Sequence, residues 1–72
     1  MIVIKEIERG ELAERSGLES GDRILRINGE DTKDILDFQV QSADAMLYME
    51  VERDGEIYEV EIEREPGDAF GI

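Results

Sequence analysis

Cysteine, histidine and tryptophan are absent from this 72-residue chain, and proline occurs only once. Thiolate and imidazole ligation of zinc, haem or an iron–sulfur cluster is therefore excluded, as is catalysis that depends on either side chain. Because no disulfide can form, the chain fits a reducing compartment. We expect a cytoplasmic segment that carries no cofactor of its own.

Positive charge is also scarce, because 8 Lys and Arg face 20 Asp and Glu and the net charge is −12. Nucleic acids and anionic lipid surfaces both require a basic footprint, so neither is an expected partner. No apolar run is long enough for a signal peptide or a membrane span. The 40% of hydrophobic residues is more than a disordered acidic tail contains, and the length predicts a single domain over residues 1–72.

Turn and capping residues divide the first half of the chain into short elements. Residues 2–7 are rich in β-branched side chains and predict a strand with a bulge or an early exit. Residues 11–16 predict a short helix that Gly17 ends in a left-handed cap, followed by a buried leucine. A strand over residues 23–27 leads into an Asn-Gly turn and then into a very short extended segment.

The main helix is predicted over residues 35–44, with Asp34 as its N-cap. Its apolar residues recur at helical spacing, which predicts one broad face to bury in the core. That face consists of Ile35, Leu36, Phe38, Val40 and Ala43.

Alternating apolar residues on both sides of Asp54-Gly55 predict a β-hairpin with a two-residue turn. A register that pairs Arg53 with Glu56 puts six apolar residues on one face, namely Leu47, Met49, Val51, Tyr58, Val60 and Ile62. A slip of one residue would turn this set towards solvent, so the register is well specified. The other face carries opposed glutamates, and we expect it to stay in solvent.

Strands and helices alternate along the chain, and the hairpin makes at least part of the sheet antiparallel. We therefore expect an α+β fold, with one principal and one short helix on a partly open antiparallel sheet or barrel. The stretch VIKEIERGELAERSGLESGDRILRING, residues 3–29, resembles the bacterial type of PDZ domain. The pair Gly17-Leu18 and the block from Gly21 to Leu25 carry most of that resemblance, and the next helix and strand follow at the spacing of the family.

The resemblance implies a protein- or peptide-binding module. In PDZ domains a loop of the form x-hydrophobic-Gly-hydrophobic binds a free carboxylate, and the peptide adds to a strand beside the main helix. No such loop precedes the first strand, and the match lies at the other end of the chain. This implies a circularly permuted fragment of a larger protein, with its groove strand beyond residue 72. The implied peptide-binding residues are Ala69, Phe70, Gly71 and Ile72 in the loop and Ile35, Gln39, Ser42 and Ala43 on the helix.

The run DILDF and the ending DAFGI also resemble the N-terminal PDZ-like segment of a family of radical-SAM-type iron–sulfur proteins of unknown function. That resemblance implies a downstream catalytic domain that carries the cluster cysteines. It also implies an alternative function, a structural docking or regulatory domain whose groove is filled by the parent's own chain, with no free peptide ligand.

Catalysis by this segment itself is not expected. A carboxylate pair needs a concave, partly apolar cleft to separate its pKa values, and the serines have no histidine or plausible lysine relay. The oxygen-rich residues 28–37 lack the spacing of a calcium loop, so no metal is expected. An uncovered sheet edge invites pairing with another chain, and we expect weak self-association despite charge repulsion.

Overall fold

The computed structural model describes residues 1–72 as a small α+β fold with five strands and two helices, which confirms the expected class. The elements are β1 (Ile2–Val3), α1 (Leu12–Arg15), β2 (Arg23–Ile27), β3 (Glu30–Asp31), α2 (Ile35–Gln41), β4 (Met46–Arg53) and β5 (Glu56–Glu63). Neither helix has the length and hydrophobicity that a membrane span needs.

All strand pairs are antiparallel, and the sheet has the order β1-β2-β4-β5, with β3 also pairing with β2. The predicted hairpin register is confirmed, because Arg53 lies opposite Glu56 and every later pair of β4 and β5 follows from it. Asp54 and Gly55 have φ values of +52° and +80°, as a type I′ turn requires. The two outer strands of the sheet are β1 and β5.

The turn at Gly55 gives a first testable prediction. Gly55→Ala is expected to lower the free energy of unfolding by about 1–2 kcal/mol, because a Cβ is disfavoured in left-handed backbone by about that amount. Asp54→Asn is the matched control, since asparagine tolerates the same conformation and should change stability little. Urea denaturation of both variants measures the difference. Equal stability of Gly55→Ala and the unsubstituted chain would contradict the turn geometry.

The short helix α1 ends as its sequence predicts. Gly17 has a φ of +89°, its N–H donates to the carbonyl of Glu14 at 3.0 Å, and the N–H of Leu18 donates to the carbonyl of Ala13 at 3.1 Å. These two bonds form a Schellman motif, and Leu18 is buried. The motif turns the chain back towards the sheet.

The first strand is shorter than predicted, because β1 leaves the regular ladder after Val3. Ile4 continues the pairing, with its N–H donating to the carbonyl of Asp22 at 2.8 Å and its carbonyl accepting from Gly21 at 2.7 Å. Residues 5–7 then diverge, and no N–H of these three residues donates a hydrogen bond within the chain. The early exit was one of the two expected outcomes.

Twelve hydrophobic residues form the core. They come from both helices, from one face of the sheet and from the C-terminal segment, namely Ile4, Leu12, Ala13, Leu18, Ile24, Ile27, Phe38, Leu47, Met49, Val51, Ile62 and Phe70. Of the six apolar hairpin residues, Tyr58 remains exposed and Val60 is half-buried, because β5 is an edge strand with no neighbour on its far side.

The prediction for the buried face of α2 is wrong. Only Phe38 is buried, whereas Leu36 and Val40 are 67% and 76% exposed. The helix is held instead through its polar side, where Gln41 accepts a hydrogen bond from the hydroxyl of Thr32 at 2.6 Å and donates to the carbonyl of Asp31 at 3.0 Å. α2 also ends at Gln41, three residues before the predicted end. Most of its apolar stripe therefore faces away from the core.

Candidate functional site

The C-terminal segment is docked against the short helix and is not a frayed tail. Its carbonyls accept hydrogen bonds from the backbone around α1: Glu8 to Gly71 at 2.9 Å, Leu12 to Ala69 at 3.3 Å and Ala13 to Phe70 at 2.9 Å. Two of these donors belong to the first turn of α1, whose N–H groups have no partner inside the helix. The segment thus completes the helix while the helix fixes the segment.

The N–H groups of the same segment are free. None of Ala69, Phe70, Gly71 and Ile72 donates a hydrogen bond to any backbone or side-chain acceptor of the chain. A docked loop with bonded carbonyls and unbonded N–H groups presents donors without acceptors. Such an arrangement of backbone amides can hold an anion, and a carboxylate is the form of anion that a peptide terminus offers.

Two aromatic rings connect this loop to the main helix. Phe70 is buried, and its ring meets that of Phe38 edge to face with the centroids 5.3 Å apart. Edge-to-face pairs of this kind are attractive beyond the area that they bury. The pair holds the loop against the side of α2 that faces the core.

Gly71 is required by close packing as well as by its backbone conformation. Its φ is +85°, and a Cβ at this position would collide with the Cβ of Glu11. Glycine therefore lets the loop approach α1 closely enough for the three backbone hydrogen bonds to form. No larger residue fits here without moving the loop.

The predicted helix positions fall into two groups. Ile35, Gln39 and Ala43 are exposed and recur every four residues, so they line one side of α2 and the turn that follows it. Leu36 and Val40 extend this side into an apolar surface. Ser42 is buried, and its N–H caps the helix by donating to Phe38 at 2.9 Å. Ser42 is thus a cap residue inside the fold and does not lie on the exposed surface.

Arg64 joins the helix to the loop, a role that no pattern in the sequence indicates. Its guanidinium donates to the carbonyl of Ser42 at the end of α2 and, at 3.1 Å, to the carbonyl of Asp68 just before the loop. The carboxylate of Asp68 also accepts from the N–H of Glu65 at 3.1 Å, which closes the turn at Pro66-Gly67. Arg64 therefore sets the position of the loop relative to α2.

No group of three or more acidic side chains is arranged to hold a metal ion. The candidate site consists of the free N–H groups of residues 69–72 and the exposed apolar surface of α2.

The sequence model of the PDZ domain family matches residues 1–52. A similar solved structure is the crystal structure of the HtrA3 PDZ domain bound to a phage-derived ligand, with a TM-score of 0.78 and 24% sequence identity. The match covers 85% of this chain and 60% of the HtrA3 chain, so it spans less than two thirds of that chain's length. The shared architecture is the open antiparallel sheet with two helices.

Proposed function

Because the chain belongs to the PDZ domain family, we propose that it is a non-catalytic interaction module that binds an extended protein or peptide segment beside α2. The observation that carries the proposal is the docked loop at residues 69–72, whose carbonyls are bonded and whose N–H groups are free. Those N–H groups would receive the terminal carboxylate of the ligand.

The rest of the ligand would lie in extended form between α2 and residues 5–7, which follow β1. The unpaired N–H groups of residues 5–7 suit strand addition, in which the main chain supplies affinity and side-chain contacts supply specificity. Ile35, Leu36 and Val40 are 53%, 67% and 76% exposed. An apolar ligand side chain that covers this surface would remove it from water.

The similar HtrA3 PDZ domain was solved with a phage-derived ligand of sequence FGRWV, which makes this peptide a suitable probe. We expect FGRWV with a free carboxylate to shift the NMR amide signals of residues 69–72 and of Ile35–Gln41. The same peptide with a C-terminal amide is the matched control and should bind at least about tenfold more weakly, because it lacks the charge that the N–H groups receive. Equal binding of both peptides would refute the carboxylate loop.

A glycine pair tests the loop directly. Gly71→Ala is expected to weaken FGRWV binding about tenfold or more, because its Cβ would collide with Glu11 and displace the N–H groups. Gly67→Ala is the matched control, since Gly67 has a similar φ of +88° but open space around its Cβ position. Isothermal titration of both variants gives the two affinities. A loss that is equal in both variants would indicate backbone strain alone and contradict the role of Gly71.

The alternative occupant is the parent protein's own downstream chain, which would make this a structural docking or regulatory domain. The exposed apolar surface of α2 suits a permanent cover as well as a free ligand, because such surfaces usually mark interaction sites. A folded protein that shows no shifts with either peptide would support this alternative. Five expectations stay predictions from the sequence. They are the radical-SAM iron–sulfur parent, the permuted order, a groove strand beyond residue 72, the cytoplasmic location and weak self-association.

A further inference from the structure

The strand β5 offers a second unpaired edge, at the end of the strand order opposite to β1 and the proposed groove. It pairs with β4 alone. The carbonyl of Tyr48 in β4 accepts a hydrogen bond from Asn28 at 2.9 Å, so the backbone of Tyr48 faces β2 and that of its cross-strand partner Glu61 faces outward. The same alternation directs the N–H and C=O groups of Ile57, Glu59 and Glu63 to the free edge.

The glutamates along this edge have no cationic partner within the chain. Glu50 and Glu52 of β4, on the same face of the sheet, pair with Arg26 at 2.8 Å and with Arg23 at 3.3 Å. Glu59, Glu61 and Glu63 form no ion pair with any residue of the chain. The negative charge on this face of the sheet is therefore not neutralised by ion pairs near the β5 edge.

Apolar groups accompany these carboxylates. Ile57 and Tyr48 are 63% and 45% exposed on the glutamate face. On the opposite face of β5, Tyr58 is 44% exposed and Val60 is half-buried against the core. A strand placed beside β5 would therefore meet carboxylates on one face and partly uncovered apolar side chains on the other.

We propose that the β5 edge binds a basic extended segment of another protein, which adds to the sheet as a further strand. Directly opposed residues of neighbouring strands share a face. The segment would thus carry Lys or Arg at alternate positions, opposite Glu59, Glu61 and Glu63, with apolar residues between them. A second copy of this chain is disfavoured as the occupant, because β5 against β5 would bring glutamates together and the chain carries a net charge of −12. No free carboxylate is needed.

The probe is a peptide of alternating lysine and valine, acetylated and amidated so that neither terminus is charged. We expect it to shift the amide signals of β5 and to bind at least about fivefold more tightly than a blocked peptide of the same composition with its lysines and valines in separate blocks. Binding should weaken as salt is raised. Equal affinity for both peptides, shifts confined to residues 69–72 and α2, or no binding would each overturn the proposal.

Variants of Glu61 distinguish the contribution of side-chain charge to peptide binding from that of the backbone hydrogen bonds. Glu61→Lys should weaken binding of the alternating peptide about fivefold or more. Glu30→Lys is the matched control, because it makes the same charge change on β3, which β2 and β4 separate from β5. Its effect on binding should be clearly smaller. Glu61→Pro removes an outward N–H that an edge strand can spare and should weaken binding more than Glu61→Gln does. Circular dichroism checks that each variant is folded. FGRWV binding should be unchanged in all four variants, so failure at this edge is distinguishable from failure at the groove.

Discussion

Phe70→Ala is expected to lower the free energy of unfolding by about 3 kcal/mol, the lower end of the range for removing a core phenylalanine. Phe70 is 9% exposed and packs edge to face on Phe38, so the substitution removes both a buried ring and the contact that ties the C-terminal segment to α2. A core of this size supplies only about 3–5 kcal/mol. Urea denaturation should therefore show a variant that is close to unfolded.

Two further variants separate this explanation from a general effect at the end of the chain. Phe70→Leu keeps most of the apolar volume and should lose less stability than Phe70→Ala. Ile72→Ala, two residues away, changes a side chain that is 42% exposed and should cost well under half as much. If Phe70→Ala were as stable as the unsubstituted chain, the C-terminal segment would be detached in solution and the free N–H groups of the loop would not be held in place.

Features set by neighbouring residues could be predicted from the sequence. The hairpin register follows from the Asp54-Gly55 turn and from the alternation on both sides of it, and the cap of α1 follows from Gly17 and the leucine after it. Asp34 is the N-cap of α2 as predicted, since its side chain accepts from the N–H of Asp37 at 2.9 Å. In each case the controlling residues lie within a few positions of one another.

Features that depend on distant partners could not be predicted. The apolar stripe of α2 indicated a helix with one face to cover, but it could not indicate whether this chain supplies the cover. The roles of Arg53 and Arg64 were missed for the same reason, because Arg53 reaches Asp22 across 31 positions and Arg64 reaches Ser42 across 22. No local pattern distinguishes such an arginine from one that lies in solvent.

The second large effect is expected at Arg53, which holds the buried carboxylate of Asp22. Asp22 is 1% exposed, and its two oxygens accept from Arg53 at 2.8 Å and 2.7 Å. The same guanidinium donates to the carbonyl of Gly17 at 2.9 Å, pairs with Glu19 at 2.9 Å and lies 5.8 Å from the centroid of the Tyr58 ring. One side chain thus joins the hairpin to the cap of α1.

Arg53→Met should lower the free energy of unfolding at neutral pH by about 2 kcal/mol, because it leaves Asp22 buried with only the N–H of Glu19 as a donor. Arg23→Met is the matched control. It removes a pair with Glu52 in which the arginine side chain is half exposed, and such pairs contribute about 0–1 kcal/mol. Urea denaturation of both variants measures the contrast, and equal losses would contradict the importance of the Asp22 pair.

The pH dependence of the same variant identifies the group responsible. The hydrogen bonds from Arg53 lower the pKa of Asp22 below its usual value despite the burial that opposes this shift. A carboxylate with a lowered pKa stabilises the fold above its unfolded pKa of about 4 and loses that contribution as the pH falls through the folded value. Arg53→Met removes the cause of the shift, so the stability gap between the unsubstituted chain and the variant should be largest at neutral pH and should narrow below about pH 4. A gap that stays constant down to the pH at which Asp22 is protonated would assign the loss to the packing of the arginine side chain and not to its charge.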